Sequence, residues 1–273
     1  MDRLCRELAI IDLDALRAAG MEDDVDNEED TAILVAERIF LETWNRFAEL
    51  DVLPRGLQLR QLVWDDGRVW IVEYLISRAH EGADGYYRRV FDVALPSQLA
   101  VTGQANLTGP DPNGQQVTYA PDYSFVPNRS VPGLQVPHGV VYDEWVTVVI
   151  EVMRSQPWRS VRPKVAMYRQ LPGVQYMFCL KMSRQLNRWS YEFYDVGVAP
   201  NPSPHHAAPR HAFDLGAVPR VHDHFVHFDS RRVFGLPNNV PLPGGCQDAV
   251  VLDVVALARY VHHNFAPVRR GAQ

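Results

Sequence analysis

Cysteine is scarce in this chain. Its three residues, Cys5, Cys179 and Cys246, stand far apart among 273. An odd, scattered set makes a poor disulfide framework and forms no metal-type pair. The expectation is a reducing compartment, intracellular and either cytoplasmic or nuclear. Long hydrophobic runs are also missing. No stretch approaches the ~20 apolar residues that span a bilayer, so no membrane partner is expected. Asp2, Arg3, Arg6 and Glu7 interrupt the N-terminal apolar residues, which excludes the continuous core of a secretory signal. An excess of positive charge is absent too: 27 basic residues face 33 acidic ones, for a formal net charge of -6. No global field pulls the chain onto nucleic acid, so any such binding must come from a local basic patch.

What is present is ordinary globular composition. Hydrophobic residues make up 47%, aromatic residues 10% and charged residues 22%, against the signature of a disordered chain. The length fits one large core with decorations.

Along the chain, Leu4, Leu8, Ile11, Leu13 and Leu16 predict a short N-terminal helix, followed by Gly20 and an acidic linker from Glu22 to Asp30. Thr31–Leu50 carries Ile33, Ala36, Ile39, Phe40, Trp44 and Phe47 at helical spacing and predicts a second helix. Leu57–Trp64 and Arg68–Leu75 predict a hairpin across Asp65-Asp66-Gly67. Residues 76–95 predict a helix that Pro96 ends.

Short strands follow at Leu99–Leu107 and Val117–Val126. Trp145–Val152 then reads as a central strand buried on both faces. Val161–Leu171 predicts a helix with Pro163 in its first turn, and Gln175–Met182 and Arg188–Val196 two further strands. Ala199–Pro219 reads as a Pro/His-rich loop, Val221–Phe234 as a source of one more strand, and Asp248–Asn264 as a helix. The organisation expected is therefore an N-terminal helical region and hairpin over 1–98, an α/β core over 99–198, a loop over 199–220, and a C-terminal strand and helix over 221–273.

Two carboxylates stand out. Asp122 follows Pro121 at a strand, and Glu151 ends the apolar run Val148-Val149-Ile150; neighbouring strands would bring both to one sheet edge. Hard divalent cations prefer such oxygen ligands and, once bound, assist phosphodiester hydrolysis. The ordered set of Pro121-Asp122, the strand Val148–Val152 with its Glu151, and Lys164 and Tyr168 four apart on the next helix resembles the PD-(D/E)XK nuclease superfamily. Within it, the set is most similar to a restriction-endonuclease-like family whose lysine sits on the helix after the glutamate strand. The likeness covers roughly residues 80–195, with a weaker echo at Leu242-Pro243-Gly244.

The resemblance implies a restriction-endonuclease-like core, a mixed central sheet flanked by helices, with helical additions at both ends. It also implies Mg²⁺ or Mn²⁺ held by Asp122, Glu151 and the backbone carbonyl of Val152, with Lys164 supporting the attacking water or the transition state. The substrate implied is DNA; a homodimer is among the partnerships this would allow. One departure is plain: the superfamily's usual lysine, two residues after the glutamate, is Met153 here. A relative that keeps the fold only for binding is the alternative, and the acidic net charge favours it.

Arg154, Arg159, Arg162 and Tyr168, with Trp158 and Arg169 nearby, form the candidate substrate-binding patch, suited to phosphates and base stacking. An ordinary structural account makes Asp122 a turn residue, pairs Glu151 with Arg154 or Arg162, and puts Lys164 and Tyr168 on a surface helix face. His205, His206, His211, His222, His224 and His227 lack zinc spacing and are expected to be structural or on the surface. Ser155 has no nucleophile elbow around it.

Overall fold

The computed structural model describes residues 2–13, 32–50, 52–72, 77–102, 105–154, 157–196, 208–217 and 224–267. The predicted acidic linker, Ser155, His205, His206 and His222 lie outside them. In chain order the elements are α1 (Asp2–Ile10), β1 (Ile33–Ala36), α2 (Leu41–Ala48), β2 (Leu62–Asp65), β3 (Arg68–Ile71), α3 (Arg78–Ala94), β4 (Leu99–Val101), β5 (Leu107–Pro110), β6 (Gln116–Tyr119) and β7 (Tyr123–Pro127). There follow β8 (Val148–Met153), α4 (Trp158–Tyr168), β9 (Tyr176–Met182), β10 (Arg188–Asp195), β11 (Arg210–Asp214), β12 (Phe225–Asp229), the single turn α5 (Ser230–Val233), β13 (Ala249–Asp253) and α6 (Val254–Phe265).

The centre is a mixed six-stranded sheet in the order β11-β10-β9-β8-β7-β4. β8 and β9 are parallel, with Glu151 opposite Cys179, and α4 is the crossover between them. The other neighbours are antiparallel. β8 is buried at every residue, as its apolar run requires. Strand alternation divides it: Val148, Ile150 and Val152 enter the core shared with α3, α6 and the β12-β13 pair. Val149 and Met153 enter the opposite core, shared with α1, α2, α4 and the small sheet β1-β3-β2. Glu151 lies on this second face. Among the described residues, no helix is long and apolar enough to cross a membrane.

Several sequence expectations are corrected. Residues 32–50 do not make one helix: Ile33–Ala36 is recruited as a strand against β3, and Arg38 at φ 56 breaks helical continuity. Phe40, placed on the apolar side by spacing, is 80% exposed. The first strand of the hairpin starts at Leu62 rather than Leu57. Asp66 and Gly67 both take positive φ, 44 and 78, the pattern of a two-residue turn matched to strand twist. Arg210–Asp214, read as loop, is the edge strand β11. Ala249–Asp253, read as helix, pairs with β12, and the helix begins only where the Asp253 side chain accepts from the Ala256 N–H. Pro163 lies inside α4 rather than in its first turn.

Gly173 precedes β9 at φ 92, and a Cβ there would stand 2.4 Å from Trp145 Nε1 and 2.7 Å from Pro137 Cγ. Gly173→Ala should therefore cost about 1–3 kcal/mol through left-handed strain and displacement of a buried indole. Urea unfolding measures it; an unchanged midpoint would refute the close approach.

Candidate carboxylate centre

The crossover helix and two strand ends build this centre. Asp122 stands immediately before β7 and Glu151 one turn of pleat from the end of β8; they are 3% and 0% exposed. Asp122 Oδ2 accepts the Val152 N–H at 2.7 Å, which fixes the carboxylate against β8. The charge of Asp122 acts on the Glu151 carboxyl and raises its pKa.

Lys164 reaches the pair from α4. Its ammonium lies 3.2 Å from Glu151 Oε2 and 3.5 Å from Oε1. It also donates to the backbone carbonyls of Arg60 at 2.9 Å and Ala120 at 3.2 Å. At 1% exposure the residue is core, not surface. Tyr168 is equally buried; burial, then the charges of Glu151 and Asp122, push its phenol well above the usual range. The surface-face account of Lys164 and Tyr168 is thus wrong, because this side of α4 packs on the sheet. So is the pairing of Glu151 with an arginine, since Lys164 takes that place.

Four further groups, Arg60, His80, Glu81 and Asp84, complete the centre, and nothing in the sequence reading singled them out. His80 sits in the first turn of α3, whose Ser77 cap accepts the His80 N–H at 3.2 Å. Its Nε2 is 3.3 Å from Asp122 Oδ1 and its Nδ1 is 3.3 Å from Asp84 Oδ2, so the ring lies between two carboxylates. Arg60, in the 3₁₀ turn Leu59–Gln61, brings Nη1 to 3.8 Å from Asp122 Oδ1 and Nη2 to 3.2 Å from Glu81. His80, Glu81 and Asp84 also place one ligand atom each within 4.8 Å of one another.

The two carboxyls titrate in opposite directions. Burial pushes Glu151 up to about 8, more than Lys164 can offset, and Asp122 adds to the rise. Burial would raise Asp122 as well, but His80, Lys164 and Arg60 outweigh it and hold that group at about 2. Asp84 is raised, by burial against the opposing pull of His80. In the absence of a cation the centre therefore keeps one proton between two crowded carboxyls, an arrangement that a divalent ion would replace. The two carboxylates, with a buried imidazole beside them, offer the oxygen donors that a hard divalent cation takes.

The remaining predicted residues do not converge on this point. Arg154 donates to the carbonyl of Arg184, 3.1 Å away in the β9–β10 turn. Arg162 is committed to Glu192 through contacts of 2.7 and 2.8 Å and to the Tyr194 hydroxyl at 2.6 Å. Glu192 is 1% exposed, and these donors, with Arg210 at 3.1 Å, keep its pKa below the usual carboxylate range although burial acts the other way. Arg159 is exposed on α4. With Arg162 and Arg169 it lines one wall of a cleft of about 440 Å³ whose other wall carries Asp65, Asp66 and Asp111. The imidazoles of His211 and His224 pack on Tyr191, in agreement with a structural role.

Compared with protein-family models and with curated proteins, the chain matches none.

Proposed function

We propose that this chain is a metal-dependent phosphodiester hydrolase acting on DNA, built on a restriction-endonuclease-like core. The observation that carries the reading is the meeting of Asp122, Glu151 and Lys164: a carboxylate from each of two neighbouring strand ends and an ammonium from the crossover helix, the group that Met153 does not supply. Asp122 and Glu151, with the Val152 carbonyl, would hold Mg²⁺ or Mn²⁺, which polarises a phosphoryl oxygen and lowers the pKa of a water.

The chain's own residues do the rest. Lys164 fixes the Glu151 carboxyl from one side and is anchored to two backbone carbonyls, so its ammonium does not wander. His80, oriented through Nδ1 by Asp84, holds Asp122 and provides an imidazole at the reacting centre for proton transfer. Arg159, exposed on α4, supplies a contact to a phosphate outside the centre.

A second reading, a nuclease-fold protein that binds without cleaving, is favoured by one observation: Glu151, Lys164 and Asp122 are 0%, 1% and 3% exposed. Incubation of the protein with plasmid and single-stranded DNA in Mg²⁺ or Mn²⁺ separates the two. Hydrolysis is expected for the wild type and loss to background for Asp122→Ala and Glu151→Ala. Equal cleavage by all three would assign the activity elsewhere, and binding without cleavage would favour the second reading.

A further inference from the structure

A phosphodiester cannot reach a carboxylate pair that solvent does not touch, so the burial of this centre demands a closing element. The 3₁₀ turn Leu59–Gln61 has the right position for it. This turn leads from the N-terminal region into β2 and lays Arg60 over the centre at 4% exposure. The guanidinium is held at three points: Nε donates to Gln58 at 2.7 Å, Nη2 meets Glu81 at 3.2 Å, and Nη1 stands 3.8 Å from Asp122 Oδ1. The turn is itself tied down, since the Gln61 side chain accepts the Gln58 N–H at 2.8 Å and the Arg60 carbonyl accepts from Lys164 at 2.9 Å.

We propose that Leu59–Gln61 is a latch, with Arg60 as a built-in cation that faces Asp122 Oδ1 beside the His80 imidazole and shuts the centre until a divalent ion and a phosphate displace it. The inference rests on the metal-dependent reading of the same carboxylates. Guanidinium and divalent cation compete for one carboxylate oxygen, because each supplies the positive charge that a buried anion requires. A phosphate is the natural acceptor for the released guanidinium, whose planar donors match it. Glu81 is the outer catch: its side chain is 58% exposed, so this end of the guanidinium's hold faces solvent.

The latch predicts that loosening Arg60 strengthens metal binding. In full-length protein, Mn²⁺ titrated under electron paramagnetic resonance should bind Arg60→Ala about tenfold more tightly than wild type, the factor expected if the open form is about a tenth of the wild-type population. Glu81→Gln, which removes the charge of the exposed catch, should shift the Asp122-dependent affinity the same way by a smaller factor. Adding Asp122→Ala should abolish the gain. Without metal, amide exchange should accelerate in Leu57–Asp65 and the first turn of α3 but not in β9 or β10.

Equal Mn²⁺ affinity in wild type and Arg60→Ala, with Asp122→Ala abolishing both, would overturn the latch and leave the metal site standing. No Asp122-dependent Mn²⁺ binding in any variant would sink the metal reading and the latch's competition with it. Exchange that accelerates throughout the molecule would make Arg60 a structural residue and refute the latch.

Discussion

Replacing Lys164 by methionine should destabilise the protein by about 3–5 kcal/mol near neutral pH. The substitution keeps an unbranched side chain one atom shorter, with a thioether sulfur in place of one methylene and no ammonium, so the loss measures polar satisfaction more than a cavity. Three buried acceptors lose their donor: Glu151 and the carbonyls of Arg60 and Ala120. Each orphaned buried group costs about 1–3 kcal/mol, and removal of one member of a buried charged pair about 3–5 kcal/mol. The loss stays toward the lower end of that range because Glu151, pushed up to about 8, already holds a proton near neutral pH, so the substitution removes a hydrogen-bond donor rather than one half of a fully charged pair. Urea unfolding of Lys164→Met, Glu151→Gln and the double variant isolates the pair. The double variant should recover part of the single-variant loss, and strict additivity would show that the two side chains do not act as a unit. DNA cleavage, where present, should be lost in Lys164→Met even at temperatures at which the variant is folded.

How far the sequence foretells this site depends on whether a residue's partners are local. The strand with Glu151 is visible because an apolar run buried on both faces has a distinct pattern. The helix with Lys164 is legible from its own spacing, and it serves as the long crossover that the parallel pair β8-β9 needs. His80, Asp84 and Arg60 act across distant parts of the chain, and the pairing of α3 with the strand end at Asp122 has no signature in spacing. Two signals were nonetheless present. His80 and Asp84 stand four apart behind the capping residue Ser77, on one helix face. And the chain holds just two lysines, Lys164 and Lys181, beside abundant arginine, so a lysine within an apolar helix marks a place where a compact ammonium is required.

The errors in the fold have the same origin. Ile33–Ala36 meets the helical spacing rule, yet β3 offers it a free edge, and pairing overrides propensity. β11 escapes notice because an edge strand with four of its five residues exposed carries no alternation to read. The order of the core elements along the chain was legible, as was the hairpin of the small sheet; the sixth strand of the central sheet and the addition of β1 to the hairpin were decided by tertiary contacts.

The same crowded carboxyls set an unusual pH dependence. Glu151 keeps its proton in the folded chain up to about 8, against an ordinary value of 4.5. Through that interval the native state binds more protons than the unfolded state, so stability falls as pH rises. Asp122 acts in the opposite sense and lower down: held at about 2 against an ordinary 3.8, it contributes stability above the unfolded value that is lost as pH drops toward 2. From these two groups alone, stability should peak at about pH 4–5 and decline by several kcal/mol toward pH 8, since each tenfold difference in proton affinity between folded and unfolded chain is worth about 1.4 kcal/mol. Unfolding midpoints of wild type and Glu151→Gln between pH 5 and 8 test this, because glutamine imitates the protonated side chain and cannot lose a proton. The wild-type curve should fall more steeply, and parallel curves would refute the raised carboxyl. Mn²⁺ should stabilise the wild type more at pH 8 than at pH 5, since the ion replaces the proton that Glu151 holds and binds more readily once that proton has gone. Glu151→Gln should lose most of that gain.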